Sequence, residues 1–358
     1  MNPTDSSLRP RRGLPDRPYT RPSDDLGIDL RLDSNEGPAA NSRRLVAGSG
    51  DAEAVRCYPD DRALTAAIAA RFGLPTNGVV LGAGLDELLD RICRAYLDAE
   101  RRLVTAVPCF PMLPRYTQLA GATLVGVPWS SGAFPQADLL AAAQAAGPSS
   151  FVVLTTPNNP TGLTIAAETL LGTVDALSDR LVVVDLAYVE FQSFDPTLEL
   201  LQRQHVLVLR TFSKGYGLAG LRVGYTLGAA ELVAPLRTVG SPFPIAGPSL
   251  AAARAALELG PDAAAIARIA DERAKLADCL QGLAMQVLPS EANFVFARTS
   301  SLAATRALDA ALRAAGIQVR VFPNAPPPLD DAVRITCPGD AAAFDRLLAA
   351  LTAFGGAR

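Results

Sequence analysis

The chain has 358 residues, of which 49% are hydrophobic and 19% are charged, so it is long and apolar enough to bury a large core. Because a single core stops growing at roughly 250–300 residues, this length favours one large domain with a smaller one. The 33 basic and 36 acidic residues give a net charge of −3, without the basic excess expected of a protein that binds nucleic acid or an anionic membrane.

The cysteine and histidine content excludes several classes of enzyme. The five cysteines are dispersed and form neither a disulfide framework nor a paired zinc motif (Cys57, Cys93, Cys109, Cys279 and Cys337). The single histidine, His205, precedes an apolar run and is expected to be structural or on the surface. With one histidine available, serine hydrolases and zincins are disfavoured, and we predict no metal site.

No targeting or membrane segment is evident. Residues 1–25 combine prolines and arginines without an apolar pattern, which predicts a flexible arm. The Arg11-Arg12 pair is not followed by the apolar stretch of an export signal. The charge-free run 139–167 is interrupted by glycines and prolines, which argues against a membrane span. We therefore expect a cytoplasmic protein.

In the first two thirds of the chain, short apolar runs alternate with helical patterns. This alternation predicts a three-layer α/β/α domain around a mostly parallel sheet. Strands are predicted at 78–82, 102–107, 122–127, 151–156, 181–187 and 206–210, and helices at 85–97, 137–146 and 166–177.

From about residue 248 the pattern changes to long Ala-rich helices and fewer strands, which predicts a smaller α+β C-terminal domain. Helices are expected in 248–260 and 262–283, within 301–322 and at 340–353, and strands within 285–298 and 332–337. The predicted organisation is an N-terminal arm (1–35), a large domain (36–247) and a small domain (248–358).

Four segments end a predicted strand with polar residues and turn formers. They are LGAGLDE (81–87), TTPNNPTG (155–162), VVVDLAY (182–188) and RTFSKGYGLAGLRVGY (210–225). Open parallel sheets bind their ligands at the carboxyl ends of the strands. We therefore expect these four segments to meet at one site.

Asp185 directly follows three valines at the end of a predicted strand. A buried carboxylate is costly unless a cation meets it. The residue is therefore either a turn or helix-capping residue, or a carboxylate that pairs with a protonated nitrogen of a ligand.

Lys214 follows another predicted strand, and Arg222 lies eight positions further on. Such a lysine can be a solvated surface charge. However, Thr211 and Ser213 offer hydroxyl groups and Arg222 a guanidinium fork suited to phosphate. A lysine beside a phosphate cradle suggests a Schiff base, because desolvation and nearby cations favour the nucleophilic amine.

The two remaining segments are less specific. TTPNNPTG places two asparagines between prolines, which also describes a plain turn. In LGAGLDE, Gly82 and Gly84 precede a helix whose first amides can hold an anion. A dinucleotide fingerprint is weak there, because Glu87 stands where the third glycine is required.

Taken together, these segments resemble the fold-type I pyridoxal-phosphate enzymes of the aminotransferase class I/II group, and most closely the histidinol-phosphate aminotransferase family. The resemblance covers nearly the whole chain. It is carried by LRLDSNEGP (30–38), CYPD (57–60), PNNPTG (157–162), DLAY (185–188), TFSKGYGLAGLRVGY (211–225), SEANFVFAR (290–298) and VRIT (333–336).

The resemblance implies pyridoxal 5'-phosphate as the cofactor and assigns the residues that hold it. Lys214 would form the Schiff base and move a proton between substrate and cofactor, and Asp185 would bond the pyridine nitrogen. The other residues would bond the ring's phenolic oxygen (Tyr188 and Asn159) or the phosphate (Ser213, Arg222, Thr211 and the backbone at Leu85 and Asp86).

Further roles follow from the same resemblance. Phe110 would stack on the cofactor, and Tyr58 would reach the phosphate of a neighbouring subunit, which implies a homodimer with shared sites. Arg334 would pair with the substrate carboxylate, and Arg320 and Asn35 are further substrate-side candidates.

The sequence departs from the family pattern at three single positions and, slightly, in the stretch DSNEGP (33–38), where NENP is usual. Phe110 replaces the commoner tyrosine, Leu186 stands where glutamate is usual, and Gly215 follows the lysine where alanine is frequent. These departures bear on the substrate more than on the cofactor.

The implied reaction is ping-pong transfer of an amine from an amino donor to a 2-oxo acid, with histidinol phosphate and 2-oxoglutarate, a pair belonging to histidine biosynthesis, as the favoured substrates. One alternative keeps the cofactor but decarboxylates or oxidises an amino acid. Another abandons the cofactor for a Rossmann-like nucleotide-binding or non-catalytic protein. The missing glycine and the presence of Lys214, Asp185 and Arg222 count against the second alternative.

Overall fold

The computed structural model describes residues 27–37, 56–322, 325 and 329–356. The arm predicted at 1–25 lies outside these residues. The strands are β1 (Leu30–Leu32), β2 (Val79–Gly82), β3 (Arg102–Val107), β4 (Thr123–Pro128), β5 (Phe151–Thr155), β6 (Val182–Asp185), β7 (Val206–Thr211), β8 (Gly224–Gly228), β9 (Gln286–Val287), β10 (Phe294–Arg298), β11 (Ile317–Val321) and β12 (Ala332–Thr336).

Helices cover both faces of the larger sheet and one side of the smaller sheet. They are α1 (Arg62–Phe72), α2 (Leu85–Tyr96), α3 (Met112–Leu119), α4 (Gln136–Ala146), α5 (Ala167–Ala176), α6 (Thr197–Leu200), α7 (Ala230–Val239), α8 (Gly247–Leu259), α9 (Ala263–Gly282), α10 (Leu302–Ala314) and α11 (Ala341–Gly356). Within the described residues, no helix is both long and apolar enough to cross a membrane.

Seven strands form the larger sheet in the order β2-β8-β7-β6-β5-β3-β4. Strands β3 to β7 are parallel to one another, and β8 runs antiparallel to both of its neighbours. The valines of β6 are fully buried because helices cover both faces, which explains the uninterrupted apolar runs in the sequence. The predicted α/β fold with a large, mostly parallel sheet is confirmed.

The register of this sheet places the polar strand ends side by side. Thr155 pairs with Asp185 across β5 and β6, and Asp185 pairs with Leu209 of β7. Thr211, two residues further along β7, pairs with Gly224 of β8. The carboxyl ends of β5, β6 and β7 therefore meet at one edge of the sheet, where parallel sheets bind ligands.

The smaller sheet has the order β1-β11-β12-β10-β9. Strand β1 pairs in parallel with β11, so the segment near residue 30 joins a sheet that otherwise comes from the last quarter of the chain. Helix α8, by contrast, packs its buried side chains into the core of the larger sheet. The division at 35/36 and 247/248 stays a prediction.

Sequence reasoning assigned no element to several segments that are regular in the structure. They are helices α1, α3, α6 and α7 and strands β1, β8 and β11. Strand β8 begins and ends with glycine, and α7 contains Pro235, so neither matches a simple pattern. His205 precedes β7 and places its Nε2 3.1 Å from the backbone oxygen of Val174, which is a structural contact.

Candidate active site

Lys214 follows β7 and is half-buried. Its Nζ donates hydrogen bonds to the backbone oxygens of Ser34 at 3.1 Å and Asn35 at 2.8 Å. No carboxylate forms an ion pair with it among the described residues. Burial lowers the pKa of Lys214 from 10.5 to about 8, and the positive charge of Arg334 adds to this effect. With this pKa, roughly a tenth of the amine is neutral and nucleophilic at pH 7, far more than in an ordinary lysine.

Asp185 ends β6 with a buried side chain. Its Oδ1 accepts a hydrogen bond from the backbone amide of Ala187 at 3.0 Å. Burial raises the pKa of Asp185 to about 6. Because no cationic side chain in the described part of the chain pairs with this carboxylate, it suits a ligand that brings a protonated nitrogen.

Tyr188 lies just beyond Asp185, with its ring edge-on to Phe294 at a centroid distance of 5.4 Å. Its hydroxyl oxygen accepts a hydrogen bond from Asn35 Nδ2 at 3.0 Å. The ammonium group of Lys214 lies 5.8 Å from the centre of the same ring. Tyr188, Asn35 and Lys214 thus form one cluster although they are distant in sequence.

Arg334 lies on β12 of the smaller sheet and is buried. Its Nη1 donates to Asn159 Oδ1 and its Nη2 to the backbone oxygen of Asp33, both at 2.6 Å. The guanidinium carbon also lies 5.3 Å from the ring centre of Phe294. Arg334 therefore connects the smaller sheet to the asparagine that follows β5.

We call residues 33–37, which continue from β1, the strap. Besides its contacts with Lys214 and Arg334, it is held by Asn293, whose Nδ2 donates to the backbone oxygens of Asn35 at 3.2 Å and Glu36 at 3.0 Å. A Cβ on Gly37 would overlap the backbone oxygen of Lys214, so the strap fits closely there only because residue 37 is glycine.

A group of anion-binding donors lies on the larger sheet. Helix α2 begins at Leu85, after Gly84, and no side chain caps its first amides. A Cβ on Gly84 would lie 2.5 Å from Arg222 Nη2, so the guanidinium group lies directly against this turn. Arg222 pairs with Asp86 at 3.0 Å, and both side chains are about half exposed (46% and 48%). Free amides beside a guanidinium group suit a phosphate.

Two hydroxyl groups follow the same edge of the sheet. Thr211 Oγ1 donates to Ser213 Oγ at 3.0 Å and accepts from the backbone amide of Ser213 at 3.1 Å. Both residues are buried, at the point where β7 pairs with Gly224. A Cβ on Gly224 would lie 3.1 Å from the backbone nitrogen of Leu85, so this point is adjacent to the start of α2.

Three of the predicted site residues make no described hydrogen bond to this cluster. Phe110 is half-buried and packs against the core beneath α2. Arg320 lies opposite Arg334 in the β11–β12 register, with its guanidinium carbon 5.7 Å from the ring centre of Phe322. Tyr58 is 82% exposed and stacks on Phe243 at 4.7 Å. No described hydrogen bond joins any of the three to Lys214. Their roles stay predictions.

Sequence reasoning did not identify Asn293 or Thr336 as site residues. Thr336 Oγ1 accepts from the backbone amide of Asn35 at 3.1 Å and donates to Asn35 Oδ1 at 3.0 Å. The only available signal was position, since Thr336 lies two residues beyond Arg334 and therefore on the same face of β12.

Comparison with known proteins identifies the family. The profile of the aminotransferase class I and II family matches residues 30–351. The chain belongs to this family. It is therefore a pyridoxal-phosphate-dependent aminotransferase, and the predictions of the family, the enzyme class and the cofactor are confirmed.

Individual relatives are similar over most of their length. The histidinol-phosphate aminotransferase of Jannaschia sp. is 36% identical over 331 residues, covering 90% of this chain and 91% of the relative. The aromatic amino acid aminotransferase of Rhodococcus opacus is 38% identical over 332 residues, covering 90% and 89%. Among solved structures, the histidinol-phosphate aminotransferase of Sinorhizobium meliloti in complex with pyridoxal-5'-phosphate superposes with a TM-score of 0.82 at 29% identity, covering 92% and 91%.

The residues present fit this cofactor. Lys214 offers an amine whose pKa burial has lowered, and Asp185 offers a buried carboxylate that pairs with no protein cation among the described residues. The uncapped start of α2, which Arg222 contacts at Gly84, offers donors for a phosphate. An aldehyde, a protonated ring nitrogen and a phosphate would each find a matching group.

Proposed function

We propose that this protein transfers the amino group of histidinol phosphate to 2-oxoglutarate. The observation that carries the aminotransferase chemistry is the placement of the Lys214 amine between the strap and Tyr188, without a carboxylate partner among the described residues. The substrate is supported by relatives such as those of Jannaschia sp. and Sinorhizobium meliloti, which are named histidinol-phosphate aminotransferases.

A second feature supports a phosphorylated substrate. Arg320 on β11 pairs with Arg334 on β12, so the two guanidinium groups originate from adjacent positions of the smaller sheet. Arg334 is engaged by Asn159 and the strap, whereas Arg320 contacts Phe322 and forms no ion pair within the described residues. Two arginines at this place suit a phosphate together with a carboxylate.

Bound pyridoxal phosphate supplies a ring that withdraws electrons from the substrate carbon next to the amine. In this proposal, Lys214 removes and returns the proton at that carbon, since its amine is neutral in part near pH 7. Asp185 holds the proton on the ring nitrogen, while Tyr188 and Asn159 donate to the ring oxygen. Arg334 pairs with the carboxylate of the acceptor.

The remaining predicted residues hold the phosphate of the cofactor. Thr211, Ser213, Arg222 and the amides at Leu85 and Asp86 all lie along the edge formed by β7, β8 and the start of α2. A phosphate there would satisfy amides that no side chain caps. Phe110 is proposed to cover one face of the ring.

We also propose a cytoplasmic homodimer with shared sites. Tyr58 supports this proposal, because a tyrosine that is 82% exposed and stacked on a half-exposed Phe243 lies on the surface of its own subunit. In a dimer, its hydroxyl would reach the cofactor phosphate of the neighbouring subunit. Sedimentation of the purified protein at several concentrations tests the oligomeric state.

A second candidate acts on aromatic amino acids. It is favoured by the Rhodococcus opacus relative, which is named an aromatic amino acid aminotransferase and is 38% identical. A panel of amino donors with 2-oxoglutarate separates the two, with histidinol phosphate, phenylalanine and tyrosine at equal concentration. Histidinol phosphate should give the highest kcat/KM, and a preference for phenylalanine would favour the second candidate.

Release of carbon dioxide or peroxide without an acceptor would instead indicate a decarboxylase or an oxidase.

The assignment of Lys214 has a direct chemical test. The chain contains two lysines, Lys214 and Lys275, and Lys275 is exposed on α9. After incubation with pyridoxal phosphate and reduction with borohydride, peptide mass spectrometry should find the added mass on Lys214. Lys214→Ala should lose turnover by at least about a thousandfold and keep its fold, whereas Lys275→Ala should retain both. Label on Lys275 alone would overturn the assignment.

A further inference from the structure

The orientation of the Asn35 side chain is fixed by Thr336. The backbone amide of Asn35 can only donate, so Thr336 Oγ1 must accept from it at 3.1 Å. Thr336 is buried, and the only described acceptor for its hydroxyl hydrogen is Asn35 Oδ1 at 3.0 Å. If the amide were turned over, this hydrogen would have no acceptor, which is costly in a buried site.

This orientation determines what the Tyr188 hydroxyl does. With Asn35 Oδ1 directed to Thr336, Asn35 Nδ2 faces Tyr188 and donates to its oxygen at 3.0 Å. Tyr188 therefore acts as an acceptor towards Asn35, and its own hydrogen has no acceptor among the described residues. That hydrogen is left to donate to a ligand.

We propose that Thr336 is a positioning residue that, through the amide of Asn35, directs the hydroxyl hydrogen of Tyr188 to the oxygen of the bound cofactor ring. This proposal rests on the proposed function. Loss of the Thr336 hydroxyl would free the Asn35 amide to turn over, and Oδ1 would then accept the Tyr188 hydrogen in place of the cofactor.

The readout is the pH at which the visible absorption band of the bound cofactor changes. A donor to the ring oxygen stabilises negative charge there most when the neighbouring lysine nitrogen has lost its proton, so loss of the donor raises this transition. The charged groups around Tyr188 are Lys214, Arg334, Asp185 and Asp86, and all four are unchanged in every variant below. A difference between variants therefore reports the hydrogen bond.

Tyr188→Phe in the holoenzyme should raise the transition by about half to one pH unit, the equivalent of one hydrogen bond. Thr336→Val should raise it in the same direction, and Thr336→Ser, which keeps the hydroxyl, should restore the parent value. In the Tyr188→Phe background, Thr336→Val should add nothing. The matched control is Thr226→Val, which removes a buried hydroxyl that has no partner within the described residues, and it should leave the transition unchanged.

An unchanged transition in folded Thr336→Val holoenzyme would overturn the proposal. Two further results would overturn it while the protein still binds pyridoxal phosphate and transaminates. One is an unshifted transition in Tyr188→Phe, which decides the matter even if Thr336→Val does not fold. The other is a shift in Thr336→Val that persists in the Tyr188→Phe background, since Thr336 would then act by another route. A parent protein that binds no pyridoxal phosphate would refute the proposed function instead.

Discussion

The amine of Lys214 lies 2.8 Å from the backbone oxygen of Asn35, a residue 179 positions earlier in the chain. Carbonyl oxygens accept hydrogen bonds from the amine but bring no negative charge that would hold its proton. Burial therefore dominates and lowers the pKa of Lys214 to about 8.

This lowered pKa predicts how the cofactor-free protein reacts with an acylating reagent. Labelling of Lys214, followed by mass spectrometry across a pH series, should reach half its maximal rate near pH 8. Exposed Lys275 in the same digest serves as the comparison. A midpoint for Lys214 near about 10, where an ordinary lysine titrates, would contradict the effect of burial.

Asp185→Asn should change two properties: the pH dependence of stability in the cofactor-free protein and the turnover of the holoenzyme. The pKa of Asp185 is raised to about 6, so the folded state binds more protons than the unfolded state between the ordinary carboxyl range and pH 6. The carboxylate therefore makes the cofactor-free protein less stable as the pH rises through this window, and the amide should remove that dependence. Urea unfolding at pH 5 and pH 7 measures this effect.

In the holoenzyme the same substitution should lower kcat by about 10- to 150-fold, since a hydrogen bond between charged groups contributes about 1.5–3 kcal/mol. Asp138→Asn, at an exposed position on α4, is the control and should change neither property. Unchanged turnover in Asp185→Asn would show that this carboxylate does not hold the ring nitrogen.

Arg334→Ala and Arg320→Ala should affect different substrates. Loss of Arg334 should raise the KM for 2-oxoglutarate and lower its kcat/KM by about 10- to 150-fold, because the acceptor carboxylate loses its charged partner. Loss of Arg320 should act mainly on the phosphorylated donor. Steady-state kinetics with each substrate varied in turn measures both, and equal effects on donor and acceptor would contradict the division.

Gly215→Ala should destabilise the protein by about 1–3 kcal/mol. A Cβ at this position would lie 2.5 Å from the Cβ of Glu190, whose carboxylate is held by Arg210 at 2.9 Å. Because Arg210 holds its carboxylate, the Glu190 side chain has little room to move away from the added Cβ. Gly220→Ala is the control, because a Cβ there meets nothing within 4 Å. Chemical denaturation of both variants gives the comparison, and equal stability would contradict the predicted clash.

The parts of the site that sequence reasoning predicted are those signalled by local pattern. Asp185 and Lys214 each follow an apolar strand, and the rule that parallel strands bind ligands at their carboxyl ends brings them together. Asn293 and Thr336 were not predicted, because their contacts with Asn35 span 258 and 301 residues. The pairing of β1 with β11, which no local pattern signals, brings the strap to the smaller sheet.

The elements of the fold, like the site residues, were predicted where a local sequence pattern signals them and missed where tertiary contacts decide. Strands β3 to β7 match the predicted runs to within one or two residues, because helices on both faces force continuous apolar sequence. Strand β8 was missed because its glycines at both ends resemble turn formers. There, Gly224 is needed for the close approach to Leu85, a tertiary requirement that no local pattern reveals.

Because this chain has two lysines, an aldehyde can react with few side-chain amines. Free aldehydes condense reversibly with any accessible amine, so a surface crowded with lysine side chains would retain much of the reagent away from the site. Here the lysine side chains present one exposed competitor, Lys275, and most of the positive charge is carried by guanidinium groups, which remain protonated and unreactive. Selectivity for the amine of Lys214 therefore depends on the scarcity of lysine at the surface as well as on the burial of this amine.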